Sequence, residues 1–197
     1  MKALSILIPT LPIRIDSYCR LMKKLIHQIN LNDAQDIIQI LTFCDTKEYS
    51  VGHKRNWLLE NSVGSYVCFI DDDDDISDNY IKEILSALPS NSDCITFLGE
   101  YIDESKTKDF SISTMHIRDY NDTETYYRLP NHLCPVKREI ALQSMFTLKN
   151  FGEDADYSKN INMNIKNEFH IKEKLYFYMF SHSESQTLPT ILNKKTF

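Results

Sequence analysis

An apolar run, Tyr66-Val67-Cys68-Phe69-Ile70, ends directly on five aspartates, Asp71 to Asp75. A short apolar run reads as a buried strand, and a buried strand that stops on carboxylates puts negative charge at the carboxyl edge of a sheet. In open α/β sheets that edge is where ligands bind. Along an extended backbone Asp71, Asp73 and Asp75 would share one face, and Asp72 and Asp74 the other. Carboxylates held so close repel one another unless a cation neutralises them. A hard divalent ion such as Mg²⁺ or Mn²⁺, carried with a phosphate-bearing substrate, meets that need. Acidic runs also occur as solvated loops, but this one abuts a strand.

The rest of the front half alternates in the same style. Residues 3–8 are a continuous apolar run stopped by Pro9-Thr10. Tyr18, Leu21, Met22, Leu25, Ile26 and Ile29 then fall at helical spacing. A second strand is expected at 37–44, ending at Asp45, and a short helix at 52–62. Ser77 is a candidate cap for a helix carrying Ile81, Ile84, Leu85 and Leu88, with Pro89 as its stop. Residues 94–98 are a fourth strand. Such alternation predicts an α/β fold, a mostly parallel Rossmann-like sheet flanked by helices. The back half is less regular and reads as a small mixed region, extended over 109–117 and 168–180 and helical over 137–146 and 153–165. With no repeat or linker, the expectation is one domain, 1–197, divided into halves at 1–100 and 101–197.

The chain has 197 residues and a formal charge of -6, which argues against a general nucleic-acid binder. Its four glycines, Gly52, Gly64, Gly99 and Gly152, are too far apart for a P-loop or a GxGxxG fingerprint. An EF-hand fails as well, because its glycine position holds Ile76 and its twelfth position Lys82. Five scattered cysteines lack metal spacing. Cys44, Cys68 and Cys94 lie in strand-like runs, as reduced core thiols of a cytoplasmic protein would. No run approaches the roughly 18 apolar residues of a membrane span.

A second acidic cluster, Gly152-Glu153-Asp154-Ala155-Asp156, sits where a helix should begin. Acidic residues in a first turn complement the helix dipole. A carboxylate there could also act as a base, separate from the group that holds a metal.

Five segments in order now resemble a known family. They are Leu4-Ser5-Ile6-Leu7-Ile8-Pro9-Thr10, Gly52-His53-Lys54-Arg55-Asn56, the run from Gly64 to Asp74, Asn131 to Arg138, and Gly152-Glu153-Asp154. They resemble the first strand, G-x-x-R-N helix start, D-x-D strand, acceptor-side strand and G-E-D motif of family 2 glycosyltransferases, which have the GT-A fold. The resemblance implies a non-processive, hexosyltransferase-like enzyme that inverts the anomeric centre and uses Mn²⁺ or Mg²⁺. Its donor would be a nucleotide-diphospho-sugar, with UDP or GDP favoured, and its acceptor a glycan or other hydroxyl. It implies that Asp73 and Asp71 hold the metal, with Asp72 and Asp74 as the alternative register and Asp72 beside the donor. Pro9, Thr10 and Asp45 would line the nucleotide pocket, and Lys54 or Arg55 would sit near the nucleotide or its diphosphate. Asp154 would be the general base. His170 is a candidate third metal ligand, and His182 a candidate loop residue over the diphosphate. Two other readings stand beside this one. Asp71-x-Asp73 after a strand also opens the motif of haloacid-dehalogenase-like phosphatases, in which Asp71 would be a nucleophile. The fold could also serve as a non-catalytic nucleotide-sugar-binding module.

Overall fold

The computed structural model describes residues 2–103 and 106–180. The front half runs β1 (Leu4–Thr10), α1 (Ile15–Leu31), β2 (Ile38–Cys44), α2 (Val51–Glu60), β3 (Tyr66–Phe69), β4 (Asp75–Ile76), α3 (Tyr80–Ala87) and β5 (Cys94–Asp103). The back half adds β6 (Lys106–Ile112), β7 (Tyr120–Asn121), β8 (Thr125–Arg128), β9 (Val136–Lys137), α4 (Arg138–Leu142), α5 (Glu153–Asn162) and β10 (Glu168–Met179).

Every residue of β1 is buried, as befits a strand covered on both faces. It pairs in parallel with β2 and β3, Leu4 facing Ile38 on one side and Tyr66 on the other. The path continues β2-β1-β3-β9-β5-β6-β8-β7, with β10 and β4 joined beside β5 in a single ten-stranded sheet. The two-residue β9 lies antiparallel between β3 and β5. β10 runs parallel to β5 from Glu168 to Met179 and antiparallel to β4. The architecture is therefore the expected α/β sheet, mostly parallel at its centre and flanked by helices, with a mixed outer region.

The helix stripes dock as their spacing predicts. Leu21, Leu25 and Ile29 of α1 and Tyr80, Ile81, Ile84 and Ala87 of α3 are buried in one core with β1, β3 and β5. Buried Gln28 fastens the two helices: its Nε2 donates to the Ser77 carbonyl at 2.8 Å, and its Oε1 accepts from the Ile81 amide at 3.0 Å.

Some expectations need correction. Ser77 does not cap α3; the helix starts after Asn79, and the Ser77 hydroxyl donates to Asn79 Oδ1 instead. The helix expected at 137–146 shortens at both ends to α4: Lys137 is taken into the sheet as β9, and the chain turns out of the helix after Leu142. All five cysteines are free thiols, but Cys44 is exposed at the end of β2, and the buried ones are Cys68, Cys94 and Cys134. Among the described residues, no helix is long and apolar enough to cross a membrane.

Candidate active site

The aspartate run leaves β3 as a tight turn instead of continuing extended, closed by the Asp74 amide donating to the Asp71 carbonyl at 3.1 Å. The turn sorts its side chains by direction. Asp71 and Asp73 keep 24% and 26% of their side-chain surface exposed, whereas Asp72 and Asp74 are buried at 1% and 2%. Asp72 accepts from Thr10 Oγ1 at 2.5 Å and from Arg14 Nη1 at 2.8 Å. Asp74 accepts from the Tyr176 hydroxyl at 2.6 Å and from the Met179 amide at 2.8 Å. The inward pair therefore ties the turn to the end of β1 and to β10. Asp72 and Thr10, both expected beside the nucleotide sugar, are bonded to each other, and Asp72 to Arg14 as well.

Of the outward pair, Asp71 faces the buried Arg55, whose Nη2 lies 2.9 Å away. Burial works to raise the Asp71 carboxyl, but Arg55 and His132 outweigh it and hold it well below the usual range. Asp73 meets Arg14 Nη1 at 3.0 Å. Its burial and the charges of Asp71 and Asp72 nevertheless push it up to about 6. Burial and the charges of Asp71 and Asp73 likewise raise Asp74. The turn thus carries more negative charge than its neighbours neutralise. Among the described residues, no three His, Cys, Asp or Glu side chains converge as a protein-only metal site. Two outward carboxylates with excess charge instead fit a Mg²⁺-like ion, which takes one or two carboxylates and completes its shell with substrate phosphates and water.

Helix α2 brings the cations. The Ser50 hydroxyl caps it by accepting from the His53 amide at 3.2 Å. Gly52 lies against the backbone of the loop before α5, where a Cβ would come within 1.9 Å of the Thr147 carbonyl oxygen. Asn56 clasps the same loop, donating to the Phe146 carbonyl at 2.9 Å and accepting from the Phe146 amide at 2.8 Å. Between these anchors, Lys54 is 1% exposed and donates to Asp45 at 2.9 Å and the Thr10 carbonyl at 3.3 Å. Asp45 also accepts from the Tyr49 amide at 2.9 Å, which fixes its carboxylate at the end of β2.

Arg55 reaches both acidic motifs. Its Nη1 lies 2.8 Å from Glu153 Oε1, and its guanidinium sits over the Phe146 and Phe69 rings. It therefore acts as a buried strut between Asp71 and Glu153 at the wall of the first cleft. Gly152, at φ 74°, turns the chain into α5, a left-handed position that glycine takes without strain. Glu153, Asp154 and Asp156 fill the first turn, so the dipole-complementing arrangement holds as well.

Two clefts meet here. The first, about 100 Å³, is lined by Pro9, Arg14, Lys54, Arg55, the aspartate turn and Glu153. The second, about 470 Å³, is lined by Tyr101, Tyr126, Arg128, His132 and Asp154. Tyr178 of β10 and Phe180 just after it border both. Asp154 thus faces the second cleft, while Asp71 and Asp73 face the first.

His170 is not part of this arrangement. It sits toward the opposite end of β10 from Met179, roughly 20 Å away along the paired strand β5, and its Nδ1 pairs with Thr96 Oγ1 at 3.0 Å. Expected among the metal ligands, it lines neither cleft. His182 lies outside the described residues. Arg14, His132, Tyr176 and Tyr178 were not legible as site residues in the sequence. Arg14 follows Pro12 in a stretch without periodicity, and Tyr176 and Tyr178 read as core aromatics.

No protein-family model and no curated protein sequence matches the chain. Solved structures do. S. aureus TarS residues 1–349 in complex with UDP-GlcNAc aligns at TM-score 0.68 and 13% identity, over 94% of this chain and 60% of that one. The same protein in complex with UDP gives 0.65 and 14%, over 92% and 61%. The catalytic domain of Drosophila beta1,4-galactosyltransferase 7, in complex with xylobiose, gives 0.59 and 12%, over 89% and 68%. The chain spans about 60% of the TarS fragment's length. The fold is the GT-A fold of these glycosyltransferases.

Proposed function

We propose that the chain is a glycosyltransferase that moves a sugar from a nucleotide-diphospho-sugar, UDP- or GDP-linked, to an acceptor hydroxyl, inverting the anomeric centre. The observation that carries this reading is the meeting of the two clefts, with outward aspartates on one and Asp154 on the other. The donor would lie in the first cleft, its nucleotide toward Pro9, Lys54 and Asp45, and a glycan or other hydroxyl acceptor in the second. Residues 1–100 then supply most of the donor side and 101–197 most of the acceptor side of one domain. The likeness to a structure solved with UDP-GlcNAc supports that donor class.

The chemistry divides between the two acidic motifs. A sugar hydroxyl is a weak nucleophile, so Asp154 accepts its proton as the oxygen bonds to the anomeric carbon. Attack from the acceptor cleft, opposite the departing diphosphate, inverts that carbon. Asp73 and Asp71 would hold Mn²⁺ or Mg²⁺, which when bound neutralises the leaving diphosphate as a Lewis acid. Arg55 keeps Asp71 charged and fixes Glu153, and with it the start of the helix that carries Asp154. The phosphatase reading rests on Asp71-x-Asp73 alone, whereas the fold likeness is to glycosyltransferases.

Thermal unfolding with UDP, GDP, CDP and dTDP, each with and without Mn²⁺, tests the proposal. A ligand at 100 times its Kd adds about 2.7 kcal/mol, a shift of several degrees for a chain of this size. We expect a Mn²⁺-dependent shift with one nucleotide, lost in Asp73→Asn and kept in Asp154→Asn. The Asp154→Asn protein should lose transfer by about 10²–10⁴-fold. No shift with any nucleotide would reject the proposal, and tight binding without turnover on any acceptor would favour the binding-module alternative.

A further inference from the structure

One nitrogen of Arg14, Nη1, bridges two carboxylates of the turn, 2.8 Å from Asp72 and 3.0 Å from Asp73. The two contacts differ in kind. Asp72 is an inward residue that also accepts from Thr10, so it keeps a partner whatever Arg14 does. Asp73 is an outward residue and the first candidate to hold a metal. Arg14 therefore holds the carboxylate that a divalent ion would need.

We infer that Arg14 is the resident counter-cation of the turn, held on Asp73 until a divalent ion and a diphosphate arrive together, when it gives up Asp73 for a phosphate oxygen. The inference rests on the nucleotide-sugar reading above. Arg14 belongs to a short turn, Pro12–Arg14, directly after β1, and its side chain is only 9% exposed. A metal arriving alone would strip a carboxylate from a guanidinium largely screened from water, which is unfavourable. A diphosphate changes that balance, because guanidinium groups pair with phosphate as readily as with carboxylate. The donor cleft is also narrow. At about 100 Å³, with Arg14 in its wall, it is below the ~300–1,000 Å³ typical of ligand pockets, and a shift of Arg14 would widen it. Metal and diphosphate would consequently promote each other's binding, and such coupling is reciprocal.

A general loss of positive charge must be separated from this exchange. Arg20 provides the control: its Nη2 lies 3.5 Å from the backbone carbonyl of Asp73 and makes no contact with the carboxylate. The experiment measures Mn²⁺ affinity from the electron paramagnetic resonance signal of the free ion, with and without UDP, for wild type, Arg14→Gln and Arg20→Gln. Removing a cation in contact with a carboxylate changes its affinity for positive charge by about tenfold or more. Arg14→Gln should therefore bind Mn²⁺ alone about tenfold more tightly and, once Mn²⁺-loaded, bind UDP more weakly than wild type. Arg20→Gln should change either affinity by about twofold or less. Equal tightening in both variants, or no tightening in Arg14→Gln, would overturn the exchange. If Arg14→Gln fails to fold by circular dichroism, the wild type decides. Its Mn²⁺ affinity should rise by about tenfold, within the usual range for coupled sites, when UDP saturates; an unchanged affinity overturns the inference. Mn²⁺ binding that responds to no nucleoside diphosphate at all would reject the nucleotide-sugar reading itself.

Discussion

Asp72 and Asp73 are neighbours of identical chemistry that answer to different parts of the molecule. Asp72 satisfies Thr10 and Arg14 in a place water does not reach. Removing it strands a hydroxyl and takes a carboxylate from a guanidinium. Asp72→Ala should accordingly lose about 3–5 kcal/mol of stability, measured by urea unfolding. Asp73 is partly exposed and under net repulsion, so Asp73→Ala should stay within about 1 kcal/mol of wild type. Equal losses in the two variants would mean that the turn does not sort its side chains by direction. The sequence already showed that alternate aspartates should face opposite ways. It did not show which pair faces the cleft, because that depends on Tyr176 and Met179, more than a hundred positions further on.

Helix α2 shows how an element converts a weak motif into geometry. Gly52 permits backbone contact with the loop at Thr147, Asn56 clasps that loop at Phe146, and Arg55 spans the gap between the two acidic motifs. A methyl group on Gly52 has no room, so Gly52→Ala should cost about 1–3 kcal/mol by overpacking and lower transfer further by displacing Arg55. Chemical denaturation and a transfer assay on the same sample would show both. At the far end of the sheet, Glu168 joins β5, β6 and β10 by accepting from Thr96 at 2.6 Å, Ser113 at 2.7 Å and the Thr114 amide at 3.0 Å. Burial works to raise its carboxyl, but those donors outweigh it and hold it below its ordinary 4.5. A lowered acid stabilises the folded state above its unfolded value and loses that contribution as pH falls. Glu168→Gln should thus unfold at a lower temperature than wild type at pH 7, and the gap should close below about pH 4.5. A gap independent of pH would assign the effect to packing alone. The long elements were legible because each carries many turns of one period, as α1 does. β4, β7 and β9 were not, since two residues contain no period, although Val136 of β9 completes the centre of the sheet.

Across the whole molecule, one strand near the C-terminal end of the described chain closes what the front half begins. β10 pairs along nearly all of β5 and supplies Tyr176 and Met179 to the aspartate turn. A chain ending before Glu168 should lack a cooperative thermal transition and near-ultraviolet circular dichroism, because β5 would lose its longest pairing, along β10, and Asp74 both of its donors. A sharp, wild-type-like transition in that fragment would contradict this dependence. The same arrangement orders events in time. The aspartates emerge from a ribosome about a hundred residues before the strand that fixes them, of the order of 10 s at ordinary synthesis rates. During that interval the nascent chain holds the aspartates and helix α2 but lacks the strand that finishes the turn. The aspartate turn therefore cannot take its final form until residues 168–179 have been made.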